Sequence, residues 1–166
     1  AISGTDVVSL KPDGQPDKRF PSGLKNPRYL AANTARLAVC DRENARVAIL
    51  DAKSGQAIKV LGQDLPADKW TAVNGNTFLD PRGVAFLPDG KLLICEGGRI
   101  RAIWPDTAQT AFTAESNFMD AAVPHPTKPE YVYCFKCTVF RVDPATGAWT
   151  RVAEGPNRPE LKSSMS

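Results

Sequence analysis

The chain has 166 residues, of which 42% are hydrophobic and 23% charged, a composition typical of one globular domain or of part of a larger one. Its net charge of +3 is spread evenly, and without a basic block or a basic aromatic stripe there is no indication of nucleic-acid binding. No apolar run approaches the roughly 18 residues of a membrane-spanning helix, and 14 Pro with 12 Gly indicate many turns.

The N-terminal part of the chain predicts a β-hairpin. The chain begins at Ala1 without an initiator Met and shows no signal-peptide pattern, so we expect a processed mature protein, an engineered piece or a fragment. Residues 6–23, DVVSLKPDGQPDKRFPSG, indicate two strands around a KPDG turn, in which Gly supplies positive φ. This hairpin matches only the third and fourth strands of the longer unit that follows it.

A unit of four short strands recurs three times after this hairpin. Each copy alternates apolar runs with turns that contain Gly, Pro, Asn or Asp, a pattern typical of antiparallel β-structure. The Asp89-Gly90 pair between RGVAF and KLLIC is a strong hairpin signal, because Gly adopts positive φ without steric cost. The predicted four-stranded units cover 24–62, 78–115 and 117–155, and the half unit covers 6–23.

The spacing of the copies predicts the architecture. Cys40, Cys95 and Cys134 align with one another, at intervals of 55 and then 39 residues. A repeat of this length with four strands is the signature of a β-propeller blade. We therefore predict an all-β chain of propeller blades, each of four antiparallel strands, in a partial propeller or a small four-bladed ring. The propeller segment would cover 1–155, and the polar residues 156–166 would form a C-terminal tail.

The first two copies resemble a known repeat. In NPRYLAANTARLAVCDRENARVAILD (26–51) and DPRGVAFLPDGKLLICEGGRIRAI (80–103), a Pro-led inner strand precedes an apolar strand ending in an acid, and an Arg-containing strand follows. This pattern resembles NHL repeats, and the related gluconolactonase and strictosidine-synthase-like six-bladed propellers share it. The third copy departs from it, because Met119-Asp120 replaces the Pro-Arg start and CFKC replaces the acid-containing turn. The resemblance implies a fold rather than an activity.

Three and a half units do not close a six-bladed ring. A four-stranded face measures about 19 Å by 17 Å. If about 320 Å² of mostly apolar surface stays exposed to water, the fold loses on the order of 8 kcal/mol of hydrophobic stabilisation. Two such faces would need to be covered by a second copy of the chain, by a different chain or by a larger assembly. The alternative is a tight four-bladed closure that uses the N-terminal half unit.

Candidate binding residues lie in the loops that enter each inner strand and that join the second and third strands, where propeller ligands usually bind. Arg28 with Asp41, and Arg82 with Glu96, recur at matching places, and such a rim could bind a polar ligand, a partner or a cation. The alternative is that each Arg ties down its own blade by a charge-assisted hydrogen bond. The same loops contain further polar residues: Asn26, Glu43, Asn44, Asp80 and Asp120. We predict no cofactor, with Ca²⁺ as the alternative because related propeller hydrolases bind it through oxygen ligands.

The loop 63–79, QDLPADKWTAVNGNTFL, is the second candidate site, since it exceeds its counterparts by about fifteen residues and long loops often carry function. It contains Lys69, Trp70 and Asn74, and an aromatic ring beside amides suits a sugar or a protein surface. The alternative is that Trp70 packs over the base of its own loop.

The histidine and the cysteines give little sign of catalysis. His125, in VPHPTKP, is predicted to be a surface turn residue, so neither a zinc site nor a Ser-His-Asp triad is indicated. Cys40, Cys95 and Cys134 are predicted to lie a blade apart, well beyond the ~7 Å limit for a disulfide. Cys134 and Cys137 would face each other across a two-residue turn with about 5.5 Å between Cα atoms, where a disulfide or a reduced pair fits. A disulfide there would slightly favour a secreted or organelle-lumen protein.

Two functions remain from the sequence. The preferred one is a non-enzymatic propeller module, a binding or structural scaffold subunit that docks in a larger protein complex, because blades are missing and no catalytic cluster is evident. The alternative is a propeller lyase or hydrolase, Ca²⁺-dependent or not, that uses acidic residues at the channel mouth for acid–base chemistry. A lectin-like sugar binder using Trp70 is a third option.

Overall fold

The structure is a computed structural model that describes residues 1–20, 23–62, 77–115, 120–125, 127–128, 131–135, 138–143, 146 and 148–154. Within these ranges the chain forms β-strands and one short 3-10 helix, Arg42–Asn44. The strands are β1 Ile2–Ser3, β2 Asp6–Leu10, β3 Pro16–Phe20, β4 Pro27–Ala32, β5 Arg36–Asp41, β6 Arg46–Asp51, β7 Ala57–Gly62, β8 Gly83–Phe86, β9 Leu92–Glu96, β10 Arg99–Trp104, β11 Gln109–Glu115, β12 Ala121–Pro124, β13 Val132–Phe135, β14 Thr138–Val142 and β15 Trp149–Glu154. Among the residues described, no helix is long and apolar enough to cross a lipid bilayer.

The strands form four antiparallel sheets in chain order. The first sheet consists of β1 to β3, the second of β4 to β7, the third of β8 to β11 and the fourth of β12 to β15. Tight turns connect neighbouring strands; at Gly90, for example, φ is +90° and the N–H donates to the carbonyl oxygen of Leu87. The prediction of an all-β chain with blades of four antiparallel strands is confirmed.

The first sheet differs from the predicted hairpin by one additional strand, β1. Ile2 pairs with Val7, and Ser3 pairs with Asp6. The N-terminal ammonium of Ala1 donates to the carbonyl oxygen of Val8 at 2.7 Å, while the Val8 N–H donates back to Ala1. A two-residue strand is too short to show an alternating pattern, so only the pairing in the folded chain identifies it.

Consecutive sheets pack face to face around three apolar clusters, and the first strand of each four-stranded sheet contacts the first strand of the next. Because side chains alternate along a strand, Val39 packs toward the first sheet while its neighbours Ala38 and Cys40 pack toward the third. The first interface consists of Val7, Phe20, Leu24, Val39, Ala48 and Leu50. The second contains Ala38, Cys40, Val47, Ile49, Leu61, Phe78, Val84, Leu92, Ile94 and Ile103. The third contains Ala85, Leu87, Leu93, Cys95, Ile100, Ala102, Ala122, Val132 and Cys134.

One register in the fourth sheet differs from the sequence alignment. The Arg82 N–H donates to the carbonyl oxygen of Cys95, and the Asp120 N–H donates to that of Phe135. Phe135 rather than Cys134 is therefore the structural counterpart of Cys95. This one-residue shift turns Cys134 toward the third sheet, where it belongs to the same apolar cluster as Cys95. The two cysteines lie in adjacent sheets, a blade apart as predicted, and their side chains face the same interface.

Gly83 allows the inner strands of the third and fourth sheets to pack closely, because it has no side chain. A Cβ atom added to Gly83 would lie 2.8 Å from the Ala121 Cα and 3.0 Å from the Asp120 carbonyl oxygen, and both are backbone atoms that cannot rotate away. We expect Gly83→Ala to lower the free energy of unfolding by about 1–3 kcal/mol, because the two sheets must separate. Urea unfolding followed by circular dichroism measures this loss.

The matched control is Ala32→Ser, which also adds one heavy atom on an inner strand but at an exposed position. Its expected effect stays within about 0.5 kcal/mol. Equal effects of the two substitutions would contradict the close approach at Gly83.

Candidate functional site

Asp41, at the end of β5, is a fully buried carboxylate with a complete set of donors. One oxygen accepts the backbone N–H groups of Lys25 and Asn26 at 3.1 and 2.9 Å. The other accepts the side chains of Asn44 at 2.6 Å and Arg46 at 2.9 Å. The carboxylate therefore ties the loop entering the inner strand β4 to the turn between β5 and β6, and no oxygen faces solvent.

Glu96, at the end of β9, plays the same part in the third sheet. One oxygen accepts from Arg101 at 2.7 Å, and the other accepts the Leu79 N–H at 2.9 Å and the Arg99 guanidinium at 3.2 Å. Arg101 is also buried and donates to the Thr77 carbonyl oxygen at 2.6 Å. Burial lowers the pKa of the Arg101 guanidinium, and the nearby Glu96 carboxylate opposes this shift.

A chain of ion pairs connects the second, third and fourth sheets. The Arg42 guanidinium binds both carboxylate oxygens of Asp80, one of them at 3.1 Å. Arg82 donates to Asp80 at 2.7 Å and to Asp120 of the next sheet at 3.1 Å. Desolvation lowers the pKa of Arg82, but the hydrogen bonds to Asp80 and Asp120 outweigh it and the net shift is upward. This chain of charges links the starts of two successive inner strands.

The acids and arginines singled out from the sequence are thus brought near one end of the sheets, but they pair differently from the pattern. Asp41 binds Arg46 rather than Arg28, and Glu96 binds Arg99 and Arg101 rather than Arg82. Arg28 is exposed and makes no hydrogen bond or ion pair with any residue that the structure describes. Among the described residues of this rim, Arg28 and Glu43 are exposed, the Asp120 carboxylate is 43% exposed and the Arg42 side chain is 39% exposed.

Sequence reasoning missed the arginines that complete these networks. Arg46 follows Asp41 by five residues, and Arg101 follows Glu96 by five residues. An acid at the end of the second strand with an Arg five positions later is a repeated signal, visible in DRENAR and EGGRIR. It places the guanidinium on the third strand, beside the strand that ends in the acid.

The buried carboxylates of this arrangement accept hydrogen bonds from the chain's own groups. A general base or a metal ligand needs an oxygen with a free lone pair directed at a cavity. Guanidinium groups donate to all three buried carboxylates, Asp41, Asp80 and Glu96. Asp41 and Glu96 also accept backbone N–H groups. In the part of the chain that the structure describes, no group of three or more His, Cys, Asp or Glu side chains is arranged to hold a metal ion.

The remaining sequence candidates are placed as follows. Lys69, Trp70 and Asn74 lie outside the described residues, so a site on the loop 63–79 stays a prediction. His125 is a turn residue whose Nδ1 accepts the N–H groups of Thr127 and Lys128 at 3.1 and 3.0 Å. Cys134 is a free, buried thiol, and its disulfide with Cys137 stays a prediction because Cys137 lies outside the described residues.

Comparison with known proteins supports the fold. No known protein family and no curated protein matches the sequence. One similar solved chain belongs to Kuenenia stuttgartiensis hydrazine synthase, with a TM-score of 0.60 and 14% identity over 80% of this chain and 38% of that chain. Another belongs to the mitotic checkpoint complex, with a TM-score of 0.67 and 14% identity over 92% of this chain and 46% of that chain. The sheets are β-propeller-type blades.

At this identity the likeness concerns the fold alone. The propeller segment spans less than half the length of the two solved chains that it matches. The NHL repeat type stays a prediction, since it rests on the sequence pattern of the first two copies.

Proposed function

We propose that this propeller segment is a binding and structural module that acts as a subunit of a larger protein assembly. The proposal rests on the face of the fourth sheet that points away from the third sheet. We call it the far face and define it by Ala121, Val123, Tyr133, Phe135, Val139 and Arg141. Cross-strand pairing places these residues on one side of the sheet, opposite the buried Ala122, Val132 and Cys134.

The far face is mostly apolar, and its charged member Arg141 lies with its guanidinium carbon 4.4 Å from the centroid of the Tyr131 ring. Val123 is 49% exposed, and the other five side chains are half-buried. The corresponding faces of the second and third sheets are closed by the next sheet, and Cys95, the counterpart of Phe135, is 0% exposed. Burying an apolar blade face of about 320 Å² contributes on the order of 8 kcal/mol of stabilising free energy. A partner that presents a matching apolar face is therefore expected here.

The buried ion pairs at one end of the sheets also support a structural role. The ion pairs of Asp41, Asp80 and Glu96 join strands, turns and neighbouring sheets, which is what a rigid scaffold requires. One structural neighbour comes from an assembly, the mitotic checkpoint complex, and so illustrates this fold within a complex. The partner can be a second copy of the chain or a different chain, since both can supply a blade face.

The native mass of the chain isolated from its source tests this proposal. By native mass spectrometry we expect the wild-type chain in a species well above its own 17.9 kDa. Val123→Asp should shift the chain to 17.9 kDa, because a carboxylate on the far face loses its hydration when a partner covers it.

The matched control is Ile58→Asp, on the outer strand β7, where the side chain is 51% exposed compared with 49% for Val123. This variant should assemble like the wild type. A well-folded wild-type chain found only at 17.9 kDa, or equal loss of assembly in both variants, would contradict the proposal.

A further inference from the structure

The first sheet has three strands, whereas each of the other sheets has four. Val7 of β2 pairs with Ile2 of β1, as Val47 of β6 pairs with Cys40 of β5, and both valines pack toward the next sheet. β1 is therefore the counterpart of the second strand in the other sheets. We call the side of β1 that faces away from β2 the open edge. An inner strand would lie there, and among the described residues no strand pairs with it.

The main chain of Ile2 directs its hydrogen-bonding groups toward the open edge. Ala1 and Val8 exchange two main-chain hydrogen bonds, at 2.7 and 2.8 Å. Hydrogen-bonded and non-hydrogen-bonded pairs alternate in an antiparallel ladder, so the next pair, Ile2 with Val7, is of the second kind. The N–H and C=O of Ile2 therefore point away from β2.

In the third and fourth sheets, the carbonyl oxygen at this position is bonded to the segment of the inner strand. The carbonyl oxygen of Cys95, the counterpart of Ile2, accepts the N–H of Arg82 at 2.8 Å. The carbonyl oxygen of Phe135 accepts the N–H of Asp120 at 2.9 Å. The carbonyl oxygen of Ile2 thus lies where an added strand would donate its first main-chain hydrogen bond.

The side chains beside the open edge are less buried than their counterparts in the third sheet. Leu30 and Leu37 pack against the apolar cluster of the first interface but are only half-buried. Their counterparts, Val84 and Leu92, are 6% and 0% exposed where β4 of the second sheet packs against β8. The difference is apolar area that an inner strand in the first sheet would remove from water.

We propose that the open edge binds one extended segment of a different polypeptide chain, which adds to the first sheet as a fourth strand antiparallel to β1. The segment pairs with the N–H and C=O of Ile2 and covers Leu30 and Leu37. The row of inner strands defines its chemistry, because β8 packs on β4 and β12 packs on β8. It carries a small residue opposite Ile2, as Gly83 lies opposite Cys95, and apolar residues after it.

A different chain is the source because the matching strands of this chain are in use. The inner strands β4, β8 and β12 are each paired within their own sheet, so a second copy would have to open a sheet to donate one. Residues 156–166, PNRPELKSSMS, show no alternation of apolar residues and contain two prolines, which cannot donate to a ladder. The proposal therefore adds a second docking surface, separate from the far face, and names an extended strand as its partner.

A synthetic peptide with the sequence of residues 80–87, DPRGVAFL, tests this proposal, since this segment contains the inner strand of the third sheet. The peptide is acetylated and amidated at its ends and titrated into the ¹⁵N-labelled full chain. By NMR we expect saturable binding with a Kd below about 1 mM, and shifts of the Ile2 and Leu30 amide signals. Solvent exchange of the Ile2 N–H should slow about tenfold at saturation. The Val8 N–H, already bonded to Ala1, should not change.

The matched control peptide is methylated on the main-chain nitrogen of Arg82. It keeps every side chain but cannot donate to the Ile2 carbonyl oxygen, so it should bind about tenfold more weakly. In the chain, Leu30→Asp should weaken binding by about the same factor, because the added strand would desolvate the carboxylate. Leu10→Asp should bind like the wild type, since Leu10 is 51% exposed and lies outside the apolar cluster of the first interface.

Absence of saturable binding, or equal binding of the two peptides, would overturn the proposal. So would an Ile2 N–H that is already protected in the free chain, because another part of the chain would then fill the open edge. The two peptides are compared on the unaltered chain, so the test does not depend on the folding of Leu30→Asp. Val123→Asp should bind the peptide like the wild type, which separates this result from the proposed assembly through the far face.

Discussion

Replacing Glu96 by Gln is expected to lower the free energy of unfolding by about 3–5 kcal/mol, the cost of removing one partner from a buried ion pair. Glu96 is 0% exposed and Arg101 is 3% exposed, so water cannot take the place of the carboxylate. The loss would be a large fraction of the 5–15 kcal/mol that is typical of a whole domain. Equilibrium urea unfolding, followed by tryptophan fluorescence and by circular dichroism, measures it.

The control is Asp6→Asn, which breaks an ion pair between Asp6 and Arg19 at the surface. The Arg19 side chain is 63% exposed and the pair distance is 2.9 Å. Exposed pairs contribute about 0–1 kcal/mol, so this substitution should have little effect. If Glu96→Gln costs no more than Asp6→Asn, the Glu96 network does not stabilise the third sheet.

Replacing both members of the pair separates charge from packing. Glu96→Gln combined with Arg101→Met leaves no unpaired charge in the interior, and similar exchanges in buried pairs are often neutral or stabilising. We expect the double variant to recover part of the stability that Glu96→Gln loses. A double variant less stable than Glu96→Gln alone would show that the Arg101 bond to the Thr77 carbonyl oxygen matters more than its charge.

Replacing Phe78 by Ala is expected to cost about 3–5 kcal/mol, as for other buried aromatic residues. Phe78 is 1% exposed and packs in the interface between the second and third sheets. Its ring lies within 2.6 Å of where a Cβ atom on Gly62 would be, and the Arg101 guanidinium carbon is 4.6 Å from its centroid. Truncation therefore removes apolar area, leaves a cavity and takes away the cation–π contact.

Thermal and urea unfolding of Phe78→Ala and Phe78→Leu measure this cost. In Phe78→Leu the leucine side chain fills most of the volume of the phenylalanine ring, so this variant should lose much less free energy of unfolding. Tyr29→Ala is the surface control, since Tyr29 is 37% exposed on β4. A Phe78→Ala chain as stable as Tyr29→Ala would contradict the role of Phe78 between the sheets.

The two sites are expected to be coupled because Arg101 contacts both Glu96 and Phe78. In a double-mutant cycle of Glu96→Gln and Phe78→Ala, we expect the combined loss to differ from the sum by about 0.5–3 kcal/mol. If the two losses of unfolding free energy are additive, Arg101 does not couple the ion pair energetically to the aromatic ring.

The sequence by itself determined the class of fold and the number of strands in each repeated blade. Alternating apolar residues and Asp-Gly or Lys-Ser-Gly turns are local signals, since they depend on side-chain direction and on φ at single positions. Such signals predicted the second, third and fourth sheets and placed His125 in a turn. The strand β1 was not predicted, because two residues are too few to show an alternation of apolar and polar side chains.

Only the tertiary structure decided which charged groups pair and which face of the fourth sheet carries Cys134. Residue types predicted that Asp41 and Glu96 would find an Arg, but the choice of Arg46 and Arg101 depends on the register between the second and third strands. For Cys134, a shift of one residue reverses the face of the sheet on which the side chain lies, and so places it in the apolar cluster that contains Cys95. Pairing between sheets is set by packing across the interface, and that information is spread over residues far apart in the chain.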